Sequence, residues 1–189
     1  NHIRNAVICS KEMCFALMGI SINDTLLDII VNDMIQKTVE INNCACSAII
    51  SNPLSDYLKL ADTYQKLKEG FHIRMIRKQQ WQYIFLDELQ YDRIMLHISE
   101  DTEVHQFIRC KLGPLVEYDR AHDTQLLETL EALIQNHNSR KLAAESLFLH
   151  RNTMVHRINK IEEVLHCSLD DTEIMEQLEF AIKMKMYAH

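Results

Sequence analysis

The chain has 189 residues, 47% apolar and 25% charged, with a formal net charge of −7, a composition that excludes disorder as the main state. It contains only three glycines (Gly19, Gly70, Gly113) and two prolines (Pro53, Pro114), against roughly thirteen and nine expected from average usage. No two glycines lie within forty residues of each other, which excludes a P-loop, a G-x-G-x-x-G fingerprint and a G-x-S-x-G elbow, all of which need closely spaced glycines.

The longest apolar runs, such as Ile29 to Val31 and Ala48 to Ile50, fall far short of the roughly twenty residues of a membrane span, so no membrane partner is expected. No cationic and apolar leader opens the chain, and it begins at Asn1 instead of Met, the pattern of a piece of a longer protein. Six cysteines (Cys9, Cys14, Cys44, Cys46, Cys110, Cys167) show no framework spacing, which fits reduced thiols in a cytoplasmic protein. Cys44 and Cys46 form C-x-C, better read as core packing than as a metal pair, and neither C-x-x-C nor H-E-x-x-H occurs. No metal and no cofactor is expected.

In chain order, Ala6–Cys9 and Met13–Met18 flank Ser10-Lys11-Glu12 and predict a short hairpin. Asn23 is a candidate cap for an amphipathic helix of about 17 residues, with Leu27, Ile30, Val31, Met34, Ile35 and Thr38 at helical spacing. Cys44 to Ile50, closed by Ser51-Asn52-Pro53, reads as a buried strand and turn. A helix then starts near Ser55, striped by Tyr57, Leu60, Ala61, Tyr64 and Leu67, and continues past Gly70 toward Arg77. Gln82 to Leu86 is a further strand, and Asp87-Glu88 leads into a helix through Ile94, Met95 and Ile98. The order β-β-α-β-α-β predicts one sheet with helices packed on it.

From Ser99 onward no strand is predicted. Ser99 caps a helix through Lys111, Gly113-Pro114 breaks it, Leu115 to Arg120 is a short connector, and Asp123 caps the next helix, with Leu126, Leu127, Leu130, Leu133 and Ile134 on one face. The final helix, capped by Asp171, carries a stripe of Ile174, Leu178, Ala181 and Ile182.

Charge is partitioned unevenly. Between Ser139 and Lys160 lie five basic residues (Arg140, Lys141, Arg151, Arg157, Lys160) and one acidic residue (Glu145), whereas residues 1–138 carry −6 and residues 161–189 carry −5. A basic island in an acidic chain is the footprint of phosphate-backbone docking. Within it, Ser139 to Leu147 reads as a short helix with Leu142, Ala143, Ala144 and Leu147 facing inward, interrupted by Phe148-Leu149-His150. A second helix runs from about Arg151 to Leu165, with Met154, Ile158, Ile161 and Leu165 inward and Asn152, Thr153, His156, Arg157 and Lys160 outward. Two short helices crossing at a small Ala form a helix-turn-helix. Arg pairs with guanine, Asn with adenine, and Thr or His with base edges or phosphates, so this face is suited to a major groove.

Leu147 to Glu163, L-F-L-H-R-N-T-M-V-H-R-I-N-K-I-E-E, resembles the L-F-x-H-R-N-T-x-x-x-R-x-x-x-I-E-E signature of the C-terminal helix-turn-helix of the PucR/CdaR (sugar diacid regulator) family. Leu112-Gly113-Pro114-Leu115, Glu117-Tyr118-Asp119 and Leu126 to Leu130 resemble the linker and leading helix of that family, and Leu169-Asp170-Asp171 resembles its end. Ala61, Tyr64, Asp87 and Leu89 give residues 3–98 a looser similarity to its GGDEF-like domain. Val155 stands where relatives place a polar or basic side chain, and His166 replaces a helix-ending Gly.

The resemblance implies an α+β chain: a degenerate GGDEF-like sheet-and-helix domain (1–98), a helical linker (99–122) and an all-α, winged-helix-like helix-turn-helix domain (123–189). It implies a cytoplasmic bacterial transcriptional regulator that binds double-stranded DNA as a homodimer, with a small-molecule effector acting through a region preceding Asn1. Arg151, Asn152, Thr153, His156 and Arg157 are the expected DNA contacts, with Arg140, Lys141 and Lys160 mainly on phosphates. Arg157 has a structural alternative, pairing with a carboxylate such as Glu162 or Glu128. Cyclase activity is not expected, because no Gly-Gly turn exists to hold nucleotide and metal, and Asp87-Glu88 reads as a helix cap. The rival class is a ligand-sensing or protein-interaction and dimerisation module.

Overall fold

The computed structural model describes residues 6–9, 14–17, 24–43, 46–54, 56–77 and 82–188. The expected hairpin forms, with β1 (Ala6–Cys9) antiparallel to β2 (Cys14–Leu17). Its connecting residues lie outside the described set, as do Asn23, Cys44 and Ser55. Helix α1 (Asp24–Asn42) follows, burying Val31 and Ile35, one turn apart. Strand β3 (Ala48–Ile50) lies parallel to β4 (Tyr83–Phe85), and the Tyr83 hydroxyl donates to Asp28 of α1 at 2.7 Å. The expected single sheet is not formed among the described residues: four strands of three or four residues make two separate two-stranded sheets. Strand propensity alone marks each segment but carries no information on which edges pair.

The described residues of 1–50 and 80–85 group as one compact unit, and those of 51–79 and 86–189 as another. In the second, α2 (Leu60–Arg77) runs through Gly70 and buries Thr63, Leu67, Gly70 and Ile73 on one face. After a 3-10 turn at Leu86–Leu89 comes α3 (Gln90–Ser99). Asp87 does not cap α3 as expected; its carboxylate accepts from the Asn52 amide, and the α3 start has no side-chain cap. Asp92 of α3, 2% exposed, accepts from Arg77 of α2 at 2.9 Å and from the Tyr187 hydroxyl near the C-terminus. Burial and the neighbouring Asp92 carboxylate both push the Tyr187 hydroxyl well above its usual pKa, so it stays protonated and donates.

Helix α4 (Thr102–His122) corrects two further expectations. Its cap is Asp101, whose carboxylate accepts from the Glu103 N–H, whereas Ser99 ends α3 and donates to Leu96. The helix also passes uninterrupted through Gly113 and Pro114, so the expected break and separate connector do not exist. An interior Pro costs about 3 kcal/mol, but Leu112 and Leu115 on either side are 1% and 0% exposed and hold the helix by packing. Cys110, whose carbonyl faces Pro114 instead of an N–H, sits with it on the exposed face, where the carbonyl is open to solvent and not buried unpaired.

Asp123 does not cap the following helix α5 (Leu126–Gln135); it is the left-handed terminus of α4 (φ 52°). The cap comes from Asp119, which accepts from the Leu126 and Leu127 N–H groups at 2.8 and 2.9 Å and from the Thr124 hydroxyl at 2.6 Å. Helices α6 (Arg140–Ser146), α7 (Arg151–Leu165) and α8 (Thr172–Tyr187) complete the chain. Asp171 caps α8 as expected, accepting from Glu173 and Ile174. One core joins α4 to α8, centred on Leu112, Leu115, Leu130, Met154, Ile158 and Ile161. Residues 86–188 contain no strand, so this helical region has no β-wing.

Glycine scarcity shows in the junctions. Among the described residues the positive-φ positions are Asn43, Asp123, His137, Asn138, Phe148 and His166, and none is glycine. His166 ends α7 in the left-handed conformation a Gly would adopt, with Cys167 N–H reaching the Glu162 carbonyl at 3.1 Å. No helix among the described residues is long and apolar enough to cross a membrane.

Candidate nucleic-acid interface

Helix α6 begins at Ser139, whose Oγ accepts from the Leu142 N–H at 3.3 Å. Ala143 and Ala144 are buried, and their small side chains let α6 and α7 approach closely. Leu142, expected inward, is 48% exposed: in so short a helix the inward face is filled by Ala143, Ala144 and half-buried Leu147, and the preceding residue points about 100° away. Phe148 stops α6 at φ 54°. Its N–H reaches Glu145 and the Leu149 N–H reaches Ala144, the paired bonds of a left-handed C-terminal cap. His150 then caps α7, its Nδ1 accepting from the Asn152 N–H at 3.3 Å.

Met154, Ile158 and Ile161 of α7 are buried, as their spacing predicts. On the other side Arg151, Asn152, Thr153, Val155, His156 and Asn159 are exposed. Asn152, Val155, His156, Asn159 and Lys160 line one shallow groove. Asn159 was not singled out from the sequence, although its spacing three residues after His156 and seven after Asn152 puts it on their face.

The cations of the island are mostly matched by carboxylates. Arg140 pairs with Asp170 at 2.8 Å, Lys141 approaches Glu145 at 4.0 Å, and Lys160 pairs with Glu163. The Glu163 carboxylate raises the Lys160 ammonium and is itself held low by it. Among the described residues no carboxylate pairs with Arg151.

Arg157 stands apart. Its guanidinium donates to the Thr129 hydroxyl at 3.1 Å and to the Gln125 side-chain oxygen at 3.2 Å, both on the α5 side. Glu162 and Glu128 are not its partners; Glu162 accepts from the Leu169 N–H at 2.8 Å. Thr129, fully buried, donates in turn to the Gln125 carbonyl. Asp119 lies in the same network. Burial pushes its carboxyl up, but the N–H groups of Leu127 and Leu126, the Thr124 hydroxyl and the Arg157 charge outweigh this and hold it below the usual range. Asp119, Gln125 and Thr129 thus fix α7 against α4 and α5. Nothing in the local pattern of the sequence marks them, because the contacts span 28 and 32 residues.

Residues 126–184 match the family model of the PucR C-terminal helix-turn-helix domain. The chain is 32% identical over 91 residues to the purine catabolism regulatory protein of Bacillus subtilis, which covers 48% of this chain and 17% of that protein. It is 31% identical over 133 residues to the proline-responsive transcriptional activator PutR of the same organism, covering 68% of this chain and 32% of that protein. The chain therefore spans less than a third of the length of either relative. Over α5 to α8 it is similar to the helix-turn-helix that PucR-type regulators carry at their C-terminus.

Proposed function

We propose that the chain is the DNA-binding part of a transcriptional regulator, with α7 entering the major groove of double-stranded DNA. The observation that carries the reading is the α7 surface: hydrogen-bonding side chains that suit base edges (Arg151, Asn152, Thr153, His156) are exposed at its N-terminal half, in a basic stretch of an acidic chain. Arg140, Lys141 and Lys160 take phosphates, exchanging a carboxylate partner for a phosphate. Arg157 is reserved for holding α7 in place. Residues 123–189 form the DNA-binding module, and two copies read paired half-sites about one helical turn apart. Residues 1–98 serve as a non-catalytic packing, sensing or dimerisation element. The greater length of the relatives leaves room for a small-molecule sensor outside these residues.

The test is a mobility-shift titration on duplexes enriched from a randomised library. Three phosphate-directed cations per copy predict a log–log salt slope of about −2.7, or roughly a fortyfold loss of affinity between about 50 and 200 mM salt. Absence of binding, or binding without a salt slope, overturns the DNA reading in favour of a protein-interaction module.

A further inference from the structure

The turn between α6 and α7 holds the least expected side chain in the helical region. Phe148 is 97% exposed, and its backbone is left-handed, φ 54°. A bulky residue gains nothing from that conformation, and glycine or asparagine adopts it at lower cost. The chain uses Asn at two of its other positive-φ positions, Asn43 and Asn138. The turn itself is made by backbone bonds, Phe148 N–H to Glu145 and Leu149 N–H to Ala144, while Leu149 supplies the apolar contact with the core. The Phe148 ring therefore contributes to neither the turn nor the core.

Strain kept at an exposed site is a pointer to function. Phe148 lies two residues before the cap of α7 and three before Arg151, inside the basic island, with Lys141 exposed on the preceding helix. A charged surface that attracts phosphates around an exposed aromatic ring suits a nucleic acid better than an apolar protein partner. Resting on the DNA-binding reading, we propose that Phe148 is a DNA contact, its ring laid against a thymine methyl or a deoxyribose beside the groove that α7 enters, the apolar complement to the hydrogen bonds of Arg151 and Asn152. The left-handed turn is what aims the ring outward.

The test compares Phe148→Gly, Phe148→Asn and Phe148→Tyr in the 189-residue chain, on the duplex that the wild-type chain enriches. Gly and Asn suit the backbone and remove the ring, so both should raise the melting temperature by about 2–4 °C and weaken DNA binding about 5- to 30-fold. The salt slope should stay unchanged, since no counterion is released by an apolar contact. Lys141→Ala, in contrast, should reduce the slope by about 0.9. Phe148→Tyr keeps the ring and should bind like wild type. Wild-type affinity in Phe148→Gly and Phe148→Asn overturns the assignment while leaving the DNA reading intact; failure of the wild-type chain to bind any duplex overturns both.

Discussion

Arg157→Ala separates two roles for the same cation. In the structure the guanidinium bridges Thr129 and Gln125 and lies close enough to Asp119 to lower its carboxyl. Each charge-assisted hydrogen bond contributes about 1.5–3 kcal/mol when shielded from water, and the partial exposure of Arg157 reduces the pair to about 1–2 kcal/mol in total. For a chain of this length, that lowers the melting temperature by about 2–8 °C. Thr129→Val, which removes the acceptor but keeps the shape, should reproduce much of the loss. A double-mutant cycle between the two positions should return about 1 kcal/mol of coupling. The assay is thermal and urea unfolding of each variant, followed by DNA titration at several salt concentrations. Affinity should fall in Arg157→Ala with the salt slope unchanged. An unaltered melting temperature together with a slope smaller by about 0.9 would refute the argument and make Arg157 a phosphate contact.

Asp119 has a lowered folded pKa, so its stabilisation is present above the ordinary carboxylate pKa of about 3.9 and is lost as the pH falls through the folded value. Asp119→Asn should cost about 1 kcal/mol at neutral pH and flatten the acid limb of the stability curve; an acid limb identical to wild type would count against the cap. Tyr187→Phe removes one of the donors to buried Asp92 and should cost about 1–3 kcal/mol in urea unfolding, an unchanged midpoint being the contrary result. Glu163→Gln and Asp170→Asn free Lys160 and Arg140, so each should tighten DNA binding and steepen its salt dependence, measured by the same titration; weaker binding would place those cations away from the phosphates.

How much was legible depends on how far along the chain the deciding contact lies. The bounds of α7 follow from nearby residues: the interruption at Phe148-Leu149-His150, a buried triad at Met154, Ile158 and Ile161, and no breaker before Leu165. The hairpin of β1 and β2 is local too. The course of α4 is not legible locally, because Gly113-Pro114 is a strong local stop, while the burial of Leu112 and Leu115 that overrides it comes from helices later in the chain. Asp123 looked like a cap by position, yet the carboxylate that reaches the α5 N–H groups belongs to Asp119, seven and eight residues upstream. The charge of Arg157 points to a carboxylate partner, whereas its partners are the neutral Thr129 and Gln125. The strand pairing failed for the same reason, since which edges meet is not written in any one strand.

The acidity of the chain also bears on selectivity. Residues 1–138 and 161–189 are net negative, and three of the island's cations already face carboxylates. Such exposed pairs are weak and screened by salt, so a phosphate displaces them readily when it arrives in the right place. On a duplex that does not fit α7, however, the exchange of one anion for another gains little, and the acidic remainder repels the backbone. On the proposed reading, sequence-independent binding is thereby kept weak. On the DNA-binding proposal, the affinity then rests on the part that depends on sequence: Arg151, without a carboxylate partner among the described residues, and the exposed amide, hydroxyl and imidazole of Asn152, Thr153 and His156. A net charge of −7 therefore acts on the proposed reading as a filter, lowering attachment to arbitrary DNA more than attachment to a matched site.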